Sequence, residues 1–176
     1  MGAAHKQRIV HRDLKPGNVL VTTSQADADV TKVLDFGLAK MAAIDEADGG
    51  GLTRPGVVMG TVGYMAPEQL TAGDIDERCD VFALGVMAAE ATTGRRPFRG
   101  RTHEESLAAI RHEPLRLERE GPEWRRLEAV LQRAVAADRS DRHRSVATFI
   151  RDLLPALRTL SHDAVTAAPD AETTAR

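Results

Sequence analysis

Residues 11 to 20 read His11-Arg12-Asp13-Leu14-Lys15-Pro16-Gly17-Asn18-Val19-Leu20, setting an acid, a cation and a carboxamide at fixed spacing between apolar residues. Such a set suits phosphoryl transfer, which asks little covalent chemistry of a protein. It requires instead an oriented nucleophile, a held metal ion and compensation of negative charge. Asp35-Phe36-Gly37 follows the short run Lys32-Val33-Leu34 and taken alone would be only a turn after a strand. A third segment, Gly60-Thr61-Val62-Gly63-Tyr64-Met65-Ala66-Pro67-Glu68, lies further on.

In order and spacing these segments resemble the H-R-D-L-x-x-x-N catalytic loop, the D-F-G tripeptide and the A-P-E motif of protein kinases. The resemblance covers residues 5 to 160. It implies that Asp13 orients the substrate hydroxyl or accepts its proton, that Lys15 approaches the transferring phosphate, and that Asn18 and Asp35 coordinate Mg2+, with ATP as donor. Phe36 would pack, and Gly37 would permit the turn on which Asp35 swings. Thr61 would lie on the substrate-docking strand, its hydroxyl bridging Asp13 and Lys15. Glu68 would pair with Arg142, although Arg142 also fits as one solvated charge among Arg139, Arg142 and Arg144. Asp80 would accept hydrogen bonds from the backbone near His11 and Arg12; the plainer alternative is a carboxylate favourable to a helix N-terminus.

Arg12, beside Asp13, would grip a phosphorylated loop residue through charge-assisted hydrogen bonds, and Thr53 is the candidate acceptor. Lys15-Pro16 resembles serine/threonine rather than tyrosine kinases. Gln69 after Glu68, with the Ala- and Arg-rich character, looks like bacterial members. The family usually has proline where Arg139 and His143 stand, so the loop there is expected to be less rigid.

These residues need elements to position them. Ile9-Val10, Val19 to Thr22 and Lys32 to Leu34 read as small hairpin strands. Residues 39 to 63 lose periodicity, carry Gly49-Gly50-Gly51 and Pro55, and read as a long surface loop. From Asp80 to Thr92 the chain is apolar nearly all round, predicting a buried central helix stopped by Gly94 and Pro97. Glu104 to His112 and Glu123 to Ala137 are amphipathic and should pack on it. A last helix from Ser145 to Leu160 is interrupted late by Pro155. Residues 161 to 176 have no apolar periodicity and read as a disordered tail. The expected fold is mainly α with small β-hairpins: the large, C-terminal lobe of a protein kinase over residues 1 to 160, without its N-terminal β lobe.

The 176 residues, 42% of them hydrophobic, suit one domain. Basic and acidic residues number 24 and 26, so net charge gives no claim on nucleic acid. The longest apolar run, Val81 to Ala89, is far short of the roughly 20 residues of a membrane span. A single cysteine, Cys79, suits a reducing, cytoplasmic setting. His103, His112, His143 and His162 lack metal-ligand spacing with it and read as surface or helix-capping residues. Trp124 and Phe98 read as core or interface anchors, and Arg95, Arg96, Arg99 and Arg101 as a solvated turn rather than a docking site.

No G-x-G-x-x-G loop, strand lysine or partner helix glutamate occurs. The expected function is therefore that of a protein serine/threonine kinase acting on a protein substrate with ATP, with weak or absent activity in this stretch alone. The alternative is a non-catalytic kinase-like lobe that binds proteins. Contacts with a kinase lobe or a second copy are the expected associations.

Overall fold

The computed structural model describes residues 1–23, 29–36, 62–71, 73–98, 100 and 102–160. Helix α1 spans Gly2–Lys6, strand β1 Val19–Thr23 and strand β2 Asp29–Val33. Four longer helices follow the short α2 (Pro67–Leu70): α3 (Arg78–Thr93), α4 (His103–His112), α5 (Pro122–Ala134) and α6 (Val146–Arg158). The strands form one antiparallel pair, with Val19 opposite Val33 and Thr23 opposite Asp29. Single 3₁₀ turns occupy Pro16–Asn18, Val62–Tyr64 and Arg139–Asp141. The described residues are thus mostly helical, with one small sheet.

Helix α3 is the central post. Cys79, Asp80, Val81, Phe82, Ala83, Gly85, Val86 and Ala89 are all buried, so it is covered on most sides as its continuous apolar sequence requires. It stops at Gly94, whose φ of 71° is the left-handed conformation that glycine adopts without a Cβ penalty. Helix α5 buries only the stripe Trp124, Leu127, Leu131 and Ala134, and α6 buries Phe149, Leu153 and Ala156. Phe98 stacks on Phe82 with ring centroids 6.3 Å apart. Side-chain caps set two helix starts: the Thr102 hydroxyl accepts from the Glu105 N–H at 3.1 Å, and Ser145 accepts from Thr148 at 3.2 Å.

Several expectations shift. Ile9-Val10 is not a strand; it follows a turn closed by the Ile9 N–H donating to the Ala4 carbonyl at 3.0 Å, and among the described residues no strand pairs with it. The central helix begins at Arg78, so Asp80 sits inside its first turn. Pro155 does not interrupt α6, because the hydrogen bond it forfeits belongs to the carbonyl of Arg151, an exposed residue. His143 is 1% exposed, not a surface residue. Its ring packs 5.3 Å from that of Phe149 and its Nε2 lies 3.4 Å from Asp152 Oδ2. Burial, aided by the positive charge of Arg133 and opposed by Asp152, holds the imidazole below its usual range. Of the long loop predicted over 39 to 63, residues 62 and 63 belong to a 3₁₀ turn and the others lie outside the described residues, as does the 161–176 tail.

The α3–α5 contact depends on a missing side chain. A Cβ on Gly85 would stand 2.8 Å from Ala134 Cβ and 2.9 Å from Val135 Cγ1. Gly85→Ala should therefore lower the unfolding free energy by about 1–3 kcal/mol through overpacking, measured by urea denaturation; an unchanged midpoint would show that the helices separate freely.

Candidate active site

The catalytic-loop sequence holds its shape by leaning on α3. Asp80, 1% exposed, accepts the His11 N–H on Oδ2 and the Arg12 N–H on Oδ1, each at 2.9 Å. His5 Nε2, from α1, lies 2.8 Å from the same Oδ2. Arg12 sits at φ 64°, a left-handed conformation that costs a non-glycine residue about 1–2 kcal/mol. Such a conformation persists where its surroundings over-determine it, and here the bond to Asp80 contributes.

The His11 ring ties the loop to the second motif. Its Nε2 meets the Leu34 carbonyl at 2.9 Å, its Nδ1 accepts the Asp13 N–H at 3.3 Å, and its ring centroid is 4.8 Å from that of Phe36. A carbonyl only accepts and an N–H only donates, so the tautomer with the proton on Nε2 satisfies both bonds.

Asp13 stands between Lys15 and Asn18. Lys15 Nζ is 3.0 Å from Asp13 Oδ2, and Asn18 Nδ2 donates to the Asp13 carbonyl at 2.8 Å and to Oδ2 at 3.3 Å. Asn18 is buried at the end of the Pro16–Asn18 turn, and its own carbonyl accepts the Leu34 N–H at 2.8 Å. That bond brings Asp35, exposed and at φ 51°, in behind the end of β2. With the Asn18 amide nitrogen committed to Asp13, the group offers the Asn18 amide oxygen and the Asp35 carboxylate as hard oxygen donors, the chemistry Mg2+ prefers. Among the described residues no three His, Cys, Asp or Glu side chains form a metal cluster. An ion that keeps several waters and takes substrate oxygens needs no such cage.

Glu68 and Arg142 form the predicted pair, bidentate at 2.7 and 2.8 Å. All five guanidinium protons of Arg142 are used: the other three go to the carbonyls of Ala136, Arg78 and Ala137 at 2.7, 3.2 and 3.2 Å. The guanidinium also lies 5.0 Å over the Phe82 ring. The loop expected to lack stiffness for want of proline carries polar ties instead. Arg139 Nη1 is 3.5 Å from Asp76 Oδ2, and Asp138 accepts the Ser140 N–H at 2.7 Å. Burial acts to raise the Asp76 carboxyl, but hydrogen bonds from Arg78 outweigh it and hold the group below its usual range.

His11, Arg12, Asp13, Lys15, Asn18, Asp35, Phe36 and Asp80 are thus gathered in one place, with Glu68 and Arg142 bracing the segment beside it. Gly37, Thr53 and Thr61 lie outside the described residues. Among the described residues the Arg12 guanidinium makes no ion pair. Cys79 is buried 3.8 Å from Asp80 Oδ1, and burial followed by the Asp80 charge pushes its thiol up, away from reactivity.

Sequence reasoning missed His5, Gln69 and the pair Tyr64–Glu90. The Tyr64 hydroxyl donates to Glu90 at 2.5 Å, and burial, then that bond, pushes it up to about 12. Arg96 lies 5.6 Å over the Tyr64 ring, beside a cleft of about 620 Å³ lined by Gly63, Glu90, Arg95, Phe98 and Glu105. Gln69 Nε2 donates to the Arg12 carbonyl at 2.7 Å. Its place three residues after Ala66, as in a capping box, was the one available signal.

A family model described as protein kinase domain matches residues 1–161, and the chain belongs to that family. Among curated relatives it is 40% identical over 161 residues to the serine/threonine-protein kinase Pkn1 of Myxococcus xanthus, covering 88% of this chain and 22% of Pkn1. It is 48% identical over 98 residues to the serine/threonine-protein kinase PknA of Mycobacterium tuberculosis, covering 55% and 20%. With the serine/threonine-protein kinase PknB of Mycolicibacterium smegmatis it shares 32% over 177 residues, covering 97% and 27%. The chain spans about a fifth to a quarter of these relatives' length.

Glu68→Ala would leave the Arg142 charge buried without its counter-ion, and should lower the unfolding free energy by about 3–5 kcal/mol in urea denaturation. A loss below about 1 kcal/mol, the worth of an exposed pair, would contradict the burial of this one.

Proposed function

We propose that this chain is the catalytic, helical lobe of a protein serine/threonine kinase, moving the γ-phosphoryl group of ATP to a Ser or Thr hydroxyl of a protein substrate. One observation carries the reading: the Asp13 carboxylate is held between Lys15 Nζ at 3.0 Å and the Asn18 amide, on backbone pinned to buried Asp80. Asp13 orients the incoming hydroxyl and takes its proton as the oxygen bonds to phosphorus. Lys15 compensates negative charge on the transferring group. Asn18 and Asp35 would hold Mg2+, which when bound neutralises phosphate charge. Thr61 completes the docking of the acceptor against Asp13 and Lys15.

Residues 1 to 160 form the lobe and 161 to 176 a tail outside it. The glycine-rich loop and strand lysine of the family have no counterpart in the 176 residues, so this stretch by itself meets ATP with half of an enclosure and works weakly. Arg12, directly beside Asp13, would grip a phosphate on Thr53 through charge-assisted hydrogen bonds. The site of action is cytoplasmic, the reducing setting that a single cysteine, Cys79, suits.

Radiolabelled ATP with Mg2+ and a library of Ser- and Thr-containing peptides tests the reading. Asp13→Asn should reduce transfer by about 100-fold or more, the scale of a lost general base. Transfer at the unmodified rate would remove Asp13 from its role, and a chain that moves no phosphate but still binds peptide would be the non-catalytic module instead.

A further inference from the structure

We propose that Gln69 is a positioning residue for phosphoryl transfer, fixing the peptide plane from which Asp13 projects; the proposal rests on the kinase reading of that site. The side chain spans two segments. Its Oε1 accepts the Ala66 N–H at 3.0 Å at the start of α2, while its Nε2 donates to the Arg12 carbonyl at 2.7 Å. An acceptor is needed at one end and a donor at the other, so only one orientation of the carboxamide satisfies both. Glutamate has no donor, and asparagine is one carbon short.

The Arg12 carbonyl belongs to the same planar unit as the Asp13 N–H. That N–H donates to His11 Nδ1 at 3.3 Å, so Gln69 and His11 hold the plane from opposite edges. On the other side of Arg12, its N–H is fixed on Asp80 at 2.9 Å. With φ at 64°, Arg12 is held by its N–H and its C=O together, and Gln69 supplies the second restraint. The Asp13 carboxylate therefore inherits its direction partly from the segment that begins at Val62. Docking of that segment against the loop and aiming of the base become one event.

The test compares the intact protein with its Gln69→Glu and Gln69→Leu variants. Gln69→Glu keeps the acceptor for Ala66 but presents an oxygen to the Arg12 carbonyl. Its kcat should fall by about 10- to 100-fold, the penalty of a misaimed group, while KM for ATP and for peptide stays within about twofold and the thermal midpoint is retained. Gln69→Leu should lose kcat equally and also lower the midpoint. Amide exchange over residues 11 to 14 should be about tenfold faster in both variants, with α5 and α6 unchanged. Unchanged kcat in Gln69→Glu, or a loss confined to KM, would overturn the proposal. If the unmodified protein transfers no phosphate, that outcome bears on the kinase reading and on its half enclosure of ATP, not on the Gln69 bond. Exchange over 11 to 14 then decides: acceleration supports the positioning bond and unchanged rates refute it.

Discussion

A buried carboxylate and the polar groups that surround it organise the site. Asp80 binds two consecutive backbone N–H groups of the catalytic loop and the His5 ring, and each of these bonds joins residues about seventy positions apart. The loop is polar and carries a left-handed residue, so its own sequence does not fix its shape. Burying a carboxylate is costly unless hydrogen bonds replace the water it loses, and the loop amides do that. The exchange is mutual: Asp80 satisfies the loop, and the loop makes Asp80 tolerable in a core helix. The helix packing that sets α3 in place therefore also sets the direction of Asp13.

A second tether works at the other end of the site. Arg142 reaches from the turn before α6 to Glu68 in α2, and spends its remaining protons on three carbonyls. A guanidinium so enclosed is stable only while all its acceptors stay in place, so the segment carrying Ala136 and Ala137 and the start of α3 at Arg78 are fixed with it. Gln69, one residue beyond Glu68, then joins this braced segment to the Arg12 carbonyl. Through the two tethers, the base α3–α5–α6 holds both the residues proposed to act on phosphate and the segment proposed to receive substrate.

Chemistry was more legible in the sequence than surroundings. Acid, cation and amide stood close together at 13, 15 and 18, and the long apolar run of α3 announced its burial. Pairings spread over distant positions were legible only by resemblance, as with Glu68 and Arg142. His5 lies 75 residues from Asp80 and gave no periodic signal. His143 looked like one more polar residue in a basic stretch, since nothing local tells that Phe149 will cover it. Ile9-Val10 had strand residues, but among the described residues no strand pairs with them. What the sequence hid were contacts decided by tertiary neighbours.

The central claim, that Asp80 fixes the catalytic loop, is tested most directly by residue-resolved amide exchange in Asp80→Asn. Loss of one carboxylate acceptor for a buried N–H is worth about 1–3 kcal/mol, or roughly one to two powers of ten in exchange. The His11 and Arg12 amides should accelerate by that amount while the α5 and α6 amides keep their protection. Unchanged exchange at His11 and Arg12 would mean that the loop holds its shape without Asp80.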